Sequence, residues 1–233
     1  MNHSGMRLGL ISALQQEQHG LVDSLQSLQK EQRAMREYAV GKLWGMDCVA
    51  VLSRLGKVAA AATVATLIER YGVTHIVFTG VAGSADPQVR VGDVVVADTL
   101  IQHDMDATPL FPRFEVPLTG LARFPSDLAL TDRLASAAEG FFDEDVSNAI
   151  SEDDRTHFHL QRPRVHRGLI GSADEFMDNA ARLQELKRAL PDLLAVEMEG
   201  AAVAQVCFEF GIPFAVIRTI SDSADEAAPV DFM

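Results

Sequence analysis

Short apolar runs alternate along the chain with stretches of helical period. Residues 7–13, containing Leu8-Gly9-Leu10-Ile11, are predicted to form a buried strand, followed by a polar helix from Gln16 to about Lys30. Residues 35–54 hold two alternating runs around Trp44-Gly45-Met46-Asp47, the pattern of a hairpin. Gly56 to Arg70 is rich in Ala and Val, with small residues from Ala59 to Ala62, and reads as a helix packed closely on a sheet. His75 to Thr79 is a second buried strand, ending in Gly80-Val81-Ala82-Gly83, and Val91 to Ala97 is a third. Residues 100–126 read as a long loop with aromatic and proline content, and Thr131 to Phe141 as a helix. The rhythm repeats in the second half. Arg167 to Ser172, Leu194 to Val196 and Pro213 to Ile220 are predicted strands; Asp178 to Leu190 and Glu199 to Phe210 are predicted helices.

Buried strands alternating with helices predict an α/β protein, with a central mixed β-sheet flanked by helices. With 233 residues and neither an internal repeat nor a linker in view, a single domain over residues 1–233 is expected. Residues 142–164 form an acidic insertion, carrying Asp143-Glu144-Asp145 and Glu152-Asp153-Asp154. Its expected form is a solvated loop.

Composition narrows the function classes. With 20 basic against 33 acidic residues the formal charge is −13, a surface that repels nucleic-acid backbones and anionic lipid. Neither nucleic-acid nor membrane binding is expected. The apolar runs are too short to span a bilayer, and the N-terminus has no signal-peptide pattern. Two cysteines, Cys48 and Cys207, make no disulfide framework or zinc motif, so a reducing cytoplasm is expected.

Ligands of open α/β folds sit beyond the carboxyl ends of the strands. There the sequence places Glu17, Ser53-Arg54, the 79–83 segment, Phe176-Met177, Glu197-Met198-Glu199, Arg218 and Ser221-Asp222. Each also has a structural reading. Glu17 could activate a water or simply favour a helix N-terminus; Glu197 and Glu199 also stand at a helix start, where acids are favoured, and two residues apart they point in different directions. Ser221-Asp222 could cap a helix, Gly80 and Gly83 could make a tight turn, and Phe176 could be core. His103-Asp104-Met105-Asp106 resembles a metal cluster but lacks further ligands, and no nucleophile elbow or triad is visible.

Five strings carry a family resemblance: Ser53-Arg54-Leu55-Gly56-Lys57-Val58-Ala59-Ala60-Ala61, Phe78-Thr79-Gly80-Val81-Ala82-Gly83, Val91-Gly92-Asp93-Val94-Val95, Ala195-Val196-Glu197-Met198-Glu199 and Arg218-Thr219-Ile220-Ser221-Asp222. From about Arg7 to Asp225 the chain resembles the 5′-methylthioadenosine/S-adenosylhomocysteine nucleosidases of the nucleoside phosphorylase superfamily. The resemblance implies that Glu17 is the general base on the attacking water and that Asp222, oriented by Ser221, donates a proton to adenine N7. It implies that Glu199 bonds the ribose hydroxyls, with Met198 against the sugar and Glu197 beside it. Phe176 would stack on adenine, the Met177 backbone would read the base edge, and Arg218 would lie near the water. Leu55, Val81, Ala82 and Gly83 complete the implied substrate site. The 103–115 loop, with Leu110, Phe111 and Phe114, would approach the 5′-alkylthio group of a neighbouring subunit in a homodimer.

These roles suit the chemistry. Cleaving a ribosidic C–N bond makes an oxocarbenium-like sugar and an electron-rich purine, so a proton donor, a carboxylate beside the sugar and an activated water are needed. No metal or organic cofactor is expected. The implied reaction is hydrolysis of methylthioadenosine and S-adenosylhomocysteine to adenine and a 5-thioribose, in methionine and sulfur salvage. The enzyme alternatives are a purine nucleosidase or phosphorylase acting on adenosine, inosine, AMP or futalosine. The non-enzyme alternative is a catalytically silent nucleoside-binding relative.

The sequence departs from the family pattern in three places. Val81 stands where Ser is often found, and Arg54 where Gly is frequent. Arg54 is expected to reach the water region, where it would also suit a phosphate nucleophile; the Glu17 carboxylate would repel that dianion. The resemblance further implies an amphipathic C-terminal helix, for which the segment after Asp225 is too short.

Overall fold

The computed structural model describes residues 5–18, 20–157 and 162–224. The residues beyond 224, on which the expectation about a C-terminal helix falls, lie outside that set. Ten strands are described: β1 (Arg7–Ser12), β2 (Leu25–Arg33), β3 (Arg36–Leu43), β4 (Met46–Leu52), β5 (His75–Ser84), β6 (Val94–Gln102), β7 (Arg123–Pro125), β8 (Val165–Ser172), β9 (Leu193–Glu197) and β10 (Phe214–Asp222). The helices are α1 (Gln15–Gln18), α2 (Lys57–Tyr71), α3 (Leu128–Gly140), α4 (Val146–Ala149), α5 (Glu152–His157), α6 (Ala180–Ala189) and α7 (Gly200–Phe210).

All ten strands join one mixed sheet, as the α/β reading anticipates. β5 pairs with β1, β9 and β10; β10 pairs with β6, β6 with β8, and β8 with β9. Strands β5, β10, β6, β8 and β9 therefore close a ring. The rest of the sheet extends from it through β1, β4, β3 and β2. β1 runs parallel to both its neighbours, and residues 8–12 are buried. That two-sided burial explains its unbroken apolar run. The helices begin and end on local signals. Asp127 and Asn179 accept from Leu130 N and Arg182 N to cap α3 and α6, while Gly72 and Gly211 close α2 and α7 in the left-handed conformation.

Four expectations need correction. The helix expected from Gln16 to Lys30 is one turn, α1, followed by turns and then β2. The Gln- and Lys-rich segment favours a helix locally, but pairing with β3 overrides that preference, and its polar residues face solvent at the sheet edge. β5 does not stop at Thr79 but continues through Gly80 and Gly83 to Ser84. β6 begins at Val94, extends to Gln102, and pairs with β7, so the 100–126 segment is not loop throughout. The acidic insertion is not simply a loop, since a π-type turn at Phe141–Asp145 and the short α4 and α5 satisfy its backbone locally. Among the described residues, no helix is long and apolar enough to cross a membrane.

Candidate active site

The carboxyl ends of β1, β5, β9 and β10 open onto one cavity with an empty volume of roughly 630 Å³. Glu17, Glu199 and Asp222, far apart in sequence, all line it.

Glu17 sits in the single turn after β1. Its Oε2 accepts from the Ala13 and Leu14 backbone N–H groups at 2.7 and 2.8 Å. Its Oε1 accepts from Val81 N at 3.0 Å, which ties it to β5. The helix-terminus reading therefore holds for this residue, and its carboxylate also lines the cavity. Gly80 is extended backbone in β5 rather than a turn residue. It leaves the space that the Glu17 carboxylate occupies, because a Cβ there would lie 2.6 Å from Oε1.

Asp222 is buried at the end of β10. A register shift between Ile220 and Asp222 interrupts the regular alternation of side chains. Ser221 Oγ donates to Asp222 Oδ2 at 2.7 Å, and Ala224 N donates to Oδ1 at 2.8 Å. Gly83 lies directly beneath, since a Cβ on it would meet Oδ1 at 2.8 Å.

Glu199 is also buried. Its Oε1 accepts from Gly56 N at 2.7 Å, just ahead of α2. Burial pushes its carboxyl up to about 7, and the adjacent Glu197 charge adds to the rise; the Gly56 N–H and the Arg218 charge oppose it. Asp174 Oδ1 accepts from the next amide, Lys57 N, at 2.7 Å, so two carboxylates share the start of α2.

Glu197 lines the cavity, but its carboxylate is engaged within the protein. It ion-pairs with Arg218 Nη2 at 2.7 Å, and accepts from Ser172 Oγ and from the Glu199 and Gly200 N–H groups. The two carboxylates flanking Met198 thus have different partners. Arg218 does not line the cavity. Its guanidinium lies 4.0 Å from the Phe78 ring centroid, and Nη1 would be 3.2 Å from a Cβ on Gly80, so it reaches the same glycine as Glu17.

Leu55, Val81, Ala82, Gly83, Phe176, Met177, Met198 and Ser221 also line this cavity. Sequence reasoning missed Ala13, Leu14, Glu175 and Val196 in the lining, and the backbone of Gly56. Ala13 and Leu14 precede Glu17 directly, a signal that the end of a buried strand makes legible. Leu110, Phe111 and Phe114 lie outside this cavity, and Leu110 is exposed. Arg54 corrects an expectation. Its Nη2 donates to Met35 O at 2.9 Å, and it lines a separate groove that shares Ala13 and Leu14 with the cavity, while the cavity itself does not include it. Asp104 is paired with Lys57, and among the described residues no group of three or more His, Cys, Asp or Glu is placed to hold a metal ion.

The chain belongs to the phosphorylase superfamily, whose family model matches residues 7–233. Within that superfamily, the chain belongs to the 5′-methylthioadenosine/S-adenosylhomocysteine nucleosidase family. The relative so named from Marinomonas sp. (strain MWYL1) is 32% identical over 225 residues, 97% of this chain and 89% of that protein. The crystal structure of the Neisseria meningitidis nucleosidase in complex with methylthio-immucillin-A has a TM-score of 0.85 at 32% identity, covering 97% of this chain and 90% of that one. The Colwellia psychrerythraea nucleosidase in complex with adenine has a TM-score of 0.83 at 35% identity, covering 97% and 86%.

Proposed function

We propose that this protein hydrolyses the N-glycosidic bond of 5′-methylthioadenosine and S-adenosylhomocysteine, releasing adenine and a 5-thioribose, in methionine and sulfur salvage. The observation that carries the reading is the make-up of the cavity wall. Glu17, Glu199 and Asp222 face one space, and among the described residues no Lys or Arg lines it. A phosphate dianion has no cationic partner there, whereas a developing positive charge on a sugar is favoured.

In this mechanism Asp222 gives its proton to purine N7 as the bond between N9 and C1′ breaks. Ser221 and the Ala224 N–H hold that carboxyl group in place. Glu199 accepts from the ribose hydroxyls, and these bonds tighten as the sugar becomes electron-poor. Glu17 takes a proton from the attacking water, whose oxygen forms the new bond to C1′. Phe176 stacks on the base, the Met177 backbone reads its edge, and Met198 lies against the sugar.

The reading includes a homodimer, in which Leu110, Phe111 and Phe114 of one subunit approach the 5′ end of the other's substrate. The apolar, exposed Leu110 supports it. It also includes a cytoplasmic location, supported by two free, buried cysteines.

Chromatography of methylthioadenosine incubated with the protein, with and without phosphate, tests the proposal. Free adenine should appear at the same rate in both. Strict dependence on phosphate would move the protein to the phosphorylases, and bound but unchanged nucleoside would make it a silent binder.

A further inference from the structure

Arg54 is the departure from the family pattern that the proposed reaction leaves unexplained. Its side chain is outside the cavity, yet its backbone leads directly into it. Arg54 has φ 70°, a left-handed conformation that is unfavourable for a non-glycine residue. Leu55, the next residue, lines the cavity, and Gly56, at φ 94°, directs its N–H to Glu199 Oε1 at 2.7 Å. Strain of this kind persists only where the surroundings enforce it.

Here the enforcement is reciprocal. Arg54 Nη2 donates to Met35 O, at the turn between β2 and β3, at 2.9 Å. Arg36, at the start of β3, donates back to Ser53 O through Nε at 3.3 Å and Nη2 at 3.2 Å, and Nη2 also reaches Ala59 O in α2 at 3.2 Å. Ser53 Oγ closes the clasp on Arg54 O at 2.8 Å. Among the described residues neither arginine has a carboxylate partner, so both guanidiniums serve backbone carbonyls.

We infer that Arg54 is a positioning residue for Glu199: it ties the Ser53–Gly56 turn to the β2–β3 hairpin and so holds the Gly56 N–H on the Glu199 carboxylate. The inference rests on the nucleosidase reading for its kinetic consequences. The charged and polar groups that bear on Glu199 are Glu197 of β9, Arg218 of β10, Glu17 of α1 and the Gly56 N–H ahead of α2. Arg54 is tied to the last of these alone. Lys57 and Asp174 stand next to it at the helix start.

Arg54→Ala keeps the strained backbone and removes the tether. The variant is expected to show kcat about three- to tenfold lower, with KM little changed. The acid limb of its kcat/KM profile should move upward by about half a pH unit, because the ionised Glu199 loses a donor. Arg54→Lys, which restores a donor to Met35 O, should recover the wild-type limb. Arg54→Gly, which removes both strain and tether, should shift the limb without melting below the Ala variant. Exchange of the Gly56 amide should speed up about tenfold in the Ala variant, and this readout needs no turnover. A wild-type limb and kcat in the Ala variant, or unchanged Gly56 exchange, overturns the inference. If the wild-type protein releases no adenine, the nucleosidase reading fails, and the exchange measurement still decides the role of Arg54.

Discussion

Glu17 and Gly80 occupy one space: a Cβ on the glycine would lie 2.6 Å from the Glu17 Oε1 and 2.9 Å from its carboxyl carbon. The glycine is required for room, since its backbone is ordinary strand. Gly80→Ala should therefore displace the Glu17 carboxylate and lower kcat by about 10²-fold, at a stability cost of about 1–3 kcal/mol. Glu17→Gln, which removes the charge but little bulk, should lose most turnover and keep nucleoside binding. Steady-state kinetics, calorimetric titration and thermal melting check both. An Ala variant with wild-type kcat would remove this packing from the mechanism.

Asp222 is aimed by Ser221 and by the Ala224 N–H. In the proposed mechanism Asp222→Asn cannot protonate the leaving purine, and it should lose about 10²–10⁴ in kcat on methylthioadenosine. A riboside with a p-nitrophenolate leaving group needs no such proton, so the variant should lose far less on it. Equal losses on the two substrates would assign Asp222 to binding.

Glu199 couples stability to pH. Its carboxyl titrates near 7 when folded and near its ordinary 4.5 when unfolded, so the folded state holds more proton between these values. Stability contributed by this group therefore falls as pH rises through that window, by on the order of 3 kcal/mol, and is level above it. Half-buried His103, whose pKa desolvation lowers, acts in the opposite sense as pH rises toward 6.5. The measurement is thus the difference between wild type and Glu199→Gln. The variant should melt higher at pH 8 than the wild type and equally at pH 4.5, while losing about 10²-fold or more in kcat. Parallel melting curves across the whole range would contradict this account.

Arg218 and Glu197 form a buried ion pair, with 1% and 3% of their side chains exposed. Arg218→Met leaves the Glu197 carboxylate without its cation and should cost about 3–5 kcal/mol in urea unfolding. Glu197→Gln added to Arg218→Met should restore much of that loss. Without Arg218 the Glu199 carboxyl is pushed still higher, so any residual activity of the single variant should have an acid limb above that of the wild type.

Much of the protein is legible in its residue pattern. The runs at Leu8–Ile11 and Phe214–Ile217 mark strands because strand segments largely buried on both faces have no polar alternation to confuse them. The Gln- and Lys-rich segment after Glu17 misled, because helix preference there is local while the partner that wins, β3, forms later in the chain. Arg54 misled for a similar reason: type and position suggested an anion donor near the water, but its direction is set by the Met35 carbonyl of another turn.

The sequence by itself determined the α/β class, the strand-end positions of Glu17, Glu199 and Asp222, and the motif strings that carry the family likeness. These follow from local burial periodicity and residue type. Only the tertiary structure decided that the three acids share one cavity with no Lys or Arg among the described residues lining it, that Glu197 is held by Arg218, and that Gly80 and Gly83 are space rather than turns. Each of those depends on distances between segments far apart along the chain, which strand order and register fix and no local pattern encodes.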